Sequence, residues 1–219
     1  IDARDVEGTD TKVFQQMIEQ YGIDSNVVLV EVMGQFPRAD DQTIISAELV
    51  RAAMNRDIEL TASEPIVWGV DIARMGNDAS AICKRQGNTV FEIKTFKQLD
   101  LMELCGVITN EYNTTPTSAQ PVEVCLDAGG LGIGVYDKLN EEGTVPVRAV
   151  NVSEAPSVKG TYLNLRVELW FNIRDWLMRR DCSLPKDEAL FAELIAPQYD
   201  FNSVGKIRME SKQQMRRRG

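Results

Sequence analysis

Two aspartates, Asp71 and Asp127, each close an apolar run: Ile66-Val67-Trp68-Gly69-Val70 leads into the first and Val122 to Leu126 into the second. Aspartates after strands commonly close turns or cap helices through local hydrogen bonds. Brought together, two of them make an oxygen-only donor set whose like charges repel, and a divalent cation relieves that repulsion. Such hard ligands suit Mg²⁺ or Mn²⁺. Two ions held roughly 3.5–4 Å apart can deliver an attacking water and stabilise the departing oxygen of a phosphodiester. The chain contains no histidine, so Ser-His and Cys-His nucleophile pairs and imidazole bases are excluded. Hydrolysis here falls to carboxylates, lysines or metals. Cys83, Cys105, Cys125 and Cys182 are widely separated, form no CxxC pair and have no histidine to complete a zinc site. They are expected to be buried free thiols of an intracellular protein.

The elements that must position the aspartates follow from the pattern around them. The run Ile66 to Val70 reads as a central strand buried on both faces. A polar loop, Ala73 to Asp78, leads to a second strand from Ala79 to Lys84, and the turn Gln86-Gly87-Asn88 leads to a third from Thr89 to Phe96. Together these predict an antiparallel meander. Asp100 can cap a helix to about Tyr112 with Leu101, Leu104, Cys105 and Ile108 on one face. After a loop from Thr114 to Pro121, Val122 to Leu126 forms a second buried strand. A glycine-rich turn (Gly129, Gly130, Gly132, Gly134), a helix through Tyr136 and Leu139, and a strand at Val147 to Val152 follow. A long helix from Leu163 to Met178 is predicted to present Leu163, Val167, Trp170, Ile173 and Leu177, leaving Glu168 at a solvated position. The predicted fold class is α/β: an RNase H-like mixed sheet, a three-strand antiparallel meander extended by parallel strands, with flanking helices. In that topology the strands carrying Asp71 and Asp127 lie parallel and adjacent, about 4.8 Å apart. Asp78 could steady the loop after Asp71 or simply close a turn.

The 219 residues, 43% of them hydrophobic and 26% charged, suffice for one sizeable core and fit neither a disordered nor a fibrous chain. No apolar run spans a bilayer and the first residues lack a signal-peptide pattern. Residues 1–62 read differently from the rest: helical spacing from Thr11 to Tyr21, an extended apolar run from Val27 to Val32, a break at Gly34-Gln35-Phe36-Pro37, and a helix capped by Ser46 carrying Leu49, Val50 and Ala53. They are expected to be the tail of a preceding domain and a linker helix, with residues 63–219 the main domain, and both chain ends look like cuts in a longer protein. A net charge of -9 excludes coating nucleic acid by electrostatics alone, which needs a basic surface. The one basic cluster, Lys206, Arg208, Lys212, Arg216, Arg217 and Arg218, is either a solvated helix end or a local contact for a nucleic-acid backbone.

Val70-Asp71-Ile72-Ala73-Arg74-Met75-Gly76-Asn77-Asp78-Ala79-Ser80 resembles the first acidic motif of the nuclease domains of tailed-bacteriophage large terminase subunits. Leu126-Asp127-Ala128-Gly129-Gly130-Leu131-Gly132 resembles the second. Asn164-Leu165-Arg166-Val167-Glu168-Leu169-Trp170 and Gly205-Lys206-Ile207-Arg208-Met209-Glu210-Ser211-Lys212 extend the likeness, and Gly34-Gln35-Phe36-Pro37 is similar to the end of the family's ATPase domain. The resemblance implies a two-metal endonuclease that cuts concatemeric double-stranded viral DNA during headful packaging in the host cell cytoplasm. Its partners would be the ATPase domain of the same chain, the capsid portal and a small terminase subunit, with no membrane. It makes Asp71 and Asp127 ligands of two Mg²⁺ or Mn²⁺ ions; Asp78 and Lys212 are candidate supporting residues, and Lys206, Arg208, Arg216, Arg217 and Arg218 are candidate DNA contacts. The family's third acidic ligand follows the segment matching Ser211-Lys212, and Gly219 comes before it. No GxxxxGK[ST] phosphate loop is present in the chain, so the motor ATPase would lie elsewhere.

Two other readings compete. Actin-like and sugar-kinase ATPases share the sheet topology, and Asp127-Ala128-Gly129-Gly130 resembles one of their phosphate turns. The loop from Ile72 to Asn77, however, lacks their tight Gly-Thr hairpin, and the chain is too short for a second lobe. The other reading is a non-catalytic module that docks on the portal or the ATPase.

Overall fold

Apolar runs bounded by turn residues become the strands of a five-stranded sheet: β1 (Ile66–Asp71), β2 (Ala79–Gln86), β3 (Thr89–Lys97), β4 (Glu123–Asp127) and β5 (Val147–Val150). Their order is β3-β2-β1-β4-β5, antiparallel across β3, β2 and β1 and parallel across β1, β4 and β5. The expected meander with parallel extensions is therefore present. The computed structural model describes residues 42–61, 63–73 and 78–218, with positions 12, 14, 15, 18, 23, 28 and 32–34, and excludes the side chains of Lys212, Arg216 and Arg218. The expected helix at 11–21 and run at 27–32 fall largely outside these residues. Within that run Val28 is helical and Val32 lies in a turn, so neither is extended.

Helices cover both faces of the sheet. α1 (Ala47–Met54) precedes β1, α2 (Leu101–Thr114) follows β3, and α3 (Gly132–Glu142) crosses from β4 to β5. α4 (Leu165–Met178) and α5 (Glu188–Ile195) come next, then a hairpin of β6 (Tyr199–Phe201) and β7 (Ile207–Met209), and α6 (Lys212–Arg218). The sequence reading had no α5, β6 or β7. These elements are too short for their periodicity to stand out from their neighbours. Ser46 caps α1 by accepting from the Leu49 amide at 3.4 Å, as expected. Asp100 caps α2 within a full capping box, because Glu103 also accepts from the Asp100 amide at 2.8 Å.

The period-two alternation of strands sorts side chains into two cores. Ile66, Trp68 and Val70 of β1 point with Ile82, Val124 and Leu126 into a core closed by Leu104, Cys105 and Ile108 of α2 and Val135 and Leu139 of α3. The opposite face carries a second core in which α1, α4 and α5 pack mainly over β2 and β3, through Cys83, Val90 and Ile93. Val67 and Gly69 are consequently only half-buried. β1 was expected to be buried on both faces, but the second layer of helices lies over β2 and β3 and leaves this part of the sheet more open. Ile44, Ile45, Val50, Ala53 and Met54 join the second core, so α1 packs within it. Phe171 lies at its centre, with ring centroids 5.3 Å from both Tyr162 and Tyr199, and pins the β6–β7 hairpin to α4.

Among the described residues charge is buried at Lys84, Glu168 and Arg174, each time with partners. Lys84 lies 4.7 Å over the Trp68 ring, 2.6 Å from Glu92 and in an ion pair with Glu111. Burial alone would push the Glu111 carboxyl up, but Lys84 and Lys94 hold it below the ordinary glutamate range. Glu168 is the second. It was expected in solvent, yet it is 3% exposed. The face of α4 that meets the core is Val167, Glu168, Phe171, Arg174 and Leu177, while Leu163 and Ile173, predicted inside, are 46% and 38% exposed. The reason is local satisfaction of the carboxylate. Glu168 accepts from the Ser157 amide at 2.7 Å, the Val158 amide at 3.3 Å and the Ser157 hydroxyl, so it ties the β5–α4 loop to the helix.

Burial by itself would raise the Glu168 carboxyl, but the Ser157 hydroxyl and the two amides bring it below the ordinary glutamate range. A depressed folded value means its contribution is complete above that range and disappears as pH falls through the lower folded value. Glu168→Gln is expected to cost about 1–3 kcal/mol at neutral pH by leaving loop donors poorly paired, with the gap to the parent narrowing in acid. Urea unfolding at a series of pH values measures this; a gap that stays constant into acid refutes the assignment.

Candidate metal and nucleic-acid site

Val70 and Leu126 pair directly across the parallel β1–β4 ladder, so Asp71 and Asp127, one residue further on, reach the same edge of the sheet. Alternation then turns both away from the α2–α3 core, toward the opposite face, whose helices lie mainly over β2 and β3. Asp71 is exposed and Asp127 half-buried. Asp71 also pairs in register with Ala81, and Asp127 with Val150, so both backbones stay within the sheet up to the carboxylates.

Each aspartate sits on a braced turn. After Asp71, the Ala73 amide donates to the buried Ser80 hydroxyl at 3.0 Å, which fastens the start of the loop to β2. After Asp127, the Ala128 amide donates to the Val150 carbonyl at 2.9 Å, and the Gly129 amide donates to Asp127 Oδ1 at 2.9 Å. That last bond is the local turn contact expected of a structural aspartate. It occupies one acceptor position and leaves the others open. Gly130, at φ 57°, turns the chain into α3.

Gly132 explains how α3 can begin so close to the site. A Cβ there would lie 1.8 Å from the Asp127 carbonyl oxygen and 3.3 Å from Ile72 Cδ1. Only a residue without a side chain lets the helix start directly against the end of β4.

Arg166 is a site residue that the sequence reading passed over except as part of a matching segment. It occupies the first turn of α4, and its amide donates to the Val152 carbonyl at 2.9 Å, two residues beyond the strand partner of Asp127. Burial pushes its guanidinium below the usual arginine value, and Asp127 is the carboxylate that acts against that. Only the spatial neighbourhood of β5, the loop and α4 could have indicated it.

The other candidates are more dispersed. Asp78 is exposed at the approach to β2. Arg208 is paired to Asp200 across the β6–β7 hairpin, with bonds of 2.6 Å and 2.8 Å. Lys206 is half-buried next to it, and Arg217 is exposed on α6, which opens with Ser211 accepting from the Gln214 amide at 3.2 Å. The side chains of Lys212, Arg216 and Arg218 lie outside the described residues. The hairpin reaches the approach to α4 because the Ile207 amide donates to Thr161 O at 2.8 Å and the Leu163 amide to Ile207 O at 2.9 Å. Among the described residues, no group of three or more His, Cys, Asp or Glu side chains could hold a metal. The donor set here is the two aspartates.

Gly132→Ala is expected to destabilise the fold by about 3 kcal/mol or more, the upper end of overpacking costs, since backbone rather than a flexible side chain blocks the methyl group. Gly134→Ala, whose Cβ meets nothing within 4 Å, serves as control. Equal melting temperatures for the two variants would rule out the close approach.

No family model matches the chain. A probable terminase large subunit of Enterobacteria phage P7 is 22% identical over 222 residues, covering 95% of this chain and 44% of that protein, so the chain spans less than half of the curated relative it matches. The nuclease domain of the large terminase subunit of bacterial virus Sf6, solved with manganese and beta-thujaplicinol, superposes with a TM-score of 0.67 at 21% identity, covering 80% of this chain and 90% of that one. The large terminase nuclease of thermophilic phage G20c, solved with magnesium, gives a TM-score of 0.57 at 14% identity, covering 78% and 88%. The resemblance read from the acidic motifs is borne out at the level of architecture: the chain has the RNase H-like fold of the phage large terminase nuclease domains.

Proposed function

We propose that this chain is the nuclease part of a phage large terminase subunit, a divalent-metal-dependent endonuclease that cuts concatemeric double-stranded viral DNA in the host cell cytoplasm. The observation that carries the reading is the placement of Asp71 and Asp127 at one register on adjacent parallel strands, turned to one face. The residues fit Mg²⁺ or Mn²⁺. They offer hard oxygen donors, neither is in a salt bridge among the described residues, and Asp127 gives one acceptor position to Gly129 and keeps the rest. The similar nuclease domains solved with manganese, magnesium, cobalt or calcium support a divalent ion.

Bound between these carboxylates, two ions would supply activation of water and neutralisation of charge on the leaving oxygen. The chain's own residues set the geometry. The Asp127 turn steadies its carboxylate, the Ser80 hydroxyl holds the start of the loop after Asp71, and Asp78 is assigned a supporting place. Lys206, Arg208, Arg217 and the neighbouring Lys212, Arg216 and Arg218 are assigned to the DNA backbone and to support of the site. Residues 1–62 are assigned to the end of an ATPase domain and its linker, residues 63–219 to the nuclease. The third carboxylate is assigned to sequence following Gly219. The capsid portal and a small terminase subunit are the assigned partners.

A protein continuing past Gly219 is expected to cut duplex DNA only with Mg²⁺ or Mn²⁺ and with little sequence preference, because backbone contacts carry no sequence information. Strong cleavage in excess EDTA would refute this. Asp127→Asn keeps an oxygen for the Gly129 amide but removes one charge, so most of the rate should vanish while metal-free stability stays level or rises. Cutting at close to the parent rate would sink the ligand assignment. A docking module without catalysis predicts no Mn²⁺ binding dependent on Asp71 and Asp127, which calorimetric titration decides.

A further inference from the structure

The first turn of α4 holds a cation where elementary electrostatics disfavours one. Helix N-termini carry partial positive charge, so an arginine there meets an adverse dipole, and Arg166 is half-buried as well. The two buried cations are spent on carboxylates, Lys84 on Glu92 and Glu111 and Arg174 on Asp175, and the half-buried Arg56 donates to the Cys182 carbonyl at 2.6 Å. Arg166 forms no ion pair or side-chain hydrogen bond among the described residues. Its backbone is fixed firmly, with its amide on Val152 O, and the preceding Leu165 amide donates to Glu154 O at 2.9 Å. The next amide, of Val167, donates to the Asn164 cap at 3.2 Å. The helix terminus therefore has no free amide in this turn to offer an anion; the guanidinium has. Arg166 is held just beyond β5, the strand paired with Asp127, and Asp127 is the carboxylate whose charge acts on its guanidinium.

We propose that Arg166 is a phosphate-contacting residue of this site, gripping a non-bridging oxygen of the DNA backbone beside the phosphodiester presented to Asp71 and Asp127. The inference deepens the nuclease reading and rests on it. A guanidinium fork matches phosphate in geometry and charge, and an arriving phosphate supplies the anionic partner that the fold withholds. Glu168, two residues along α4, acts behind it as a positioning residue by fixing the 157–158 loop that leads into the helix.

The test uses the full-length protein, a short DNA duplex and Mn²⁺ or Ca²⁺. Fluorescence anisotropy of the duplex is measured in Ca²⁺ over a range of salt concentrations, Mn²⁺ binding by calorimetry and cleavage in Mn²⁺. Each phosphate contact adds about 0.9 to the slope of log affinity against log salt. Arg166→Ala and Arg166→Gln should each lower that slope by about 0.9 and weaken duplex binding and cleavage roughly tenfold. Mn²⁺ binding should be equal or tighter, since a positive neighbour of Asp127 has gone. Arg166→Lys should keep the slope and recover part of the rate. If the alanine variant does not fold, the glutamine and lysine variants carry the comparison. An unchanged slope, or loss of Mn²⁺ binding in a folded variant, overturns the proposal while leaving the nuclease reading intact. A parent protein that neither binds Mn²⁺ nor cuts overturns both.

Discussion

Two carboxylates held side by side repel. At a strand spacing of about 4.8 Å the repulsion between unit charges is roughly 1 kcal/mol under water-like screening and roughly 3 kcal/mol at the permittivity of a protein surface. The parallel pairing of β1 with β4 imposes this juxtaposition on Asp71 and Asp127, and the structure around them can be understood as what withstands it. Directly before the aspartates, Val70 and Leu126 are buried at the same register against Ile82, Val135 and Leu139. Burying each such side chain is worth about 1.5–3 kcal/mol, so the layer that fixes the strands outweighs the repulsion at their ends. A sheet edge can be strained electrostatically when the residues just inside it are apolar and packed.

The turns after the strands have a different task, which is to hold the carboxylates without neutralising them. Asp127 is steadied by an amide and Asp71 by a loop whose start is fastened to Ser80, and among the described residues neither forms an ion pair with a lysine or arginine. Gly132 belongs to this scheme, since it lets α3 close the far side of the β4 turn at a distance no side chain allows. Buried charges elsewhere are fully matched: Lys84 by two glutamates, Glu168 by three donors. Asp71 and Asp127, without an ion pair among the described residues, are left where a ligand could complete them.

How much of this could be read from the chain differs from element to element. β1, β2, β3 and β4 were legible because each is a run of apolar or alternating residues ended by Asp, Gly or Asn, and α1 and α2 because Ser46 and Asp100 announce their starts. The paired aspartates followed from the strand order. The buried face of α4 was misjudged because hydrophobicity alone ranks Ile173 above Glu168, whereas the fold supplies three donors for that carboxylate from a loop ten residues away in sequence. Arg174 is hidden for a similar reason, lying 4.6 Å over the Phe171 ring. The hairpin of β6 and β7 offers three residues per strand, too few for alternation to be recognised, and is held by aromatic contacts with Phe171 rather than by its own pattern.

Arg166 illustrates the remaining limit. Nothing about an arginine near a helix start marks it as belonging to an aspartate 39 positions earlier in the numbering. The link passes through space: Asp127 pairs with Val150, the chain leaves β5, Val152 accepts from the Arg166 amide, and Glu168 anchors the loop between. Each step is a backbone bond or a satisfied buried group, so the backbone that carries Arg166 is placed by the same sheet that sets the carboxylates. For an acidic chain of net charge -9, admitting a polyanion to an acidic edge would need positive charge fixed close to that edge, because a distant basic patch is screened within about 10 Å at ordinary salt. One cation at the start of α4, just beyond the strand paired with Asp127, would meet the requirement without an ion pair to either aspartate among the described residues.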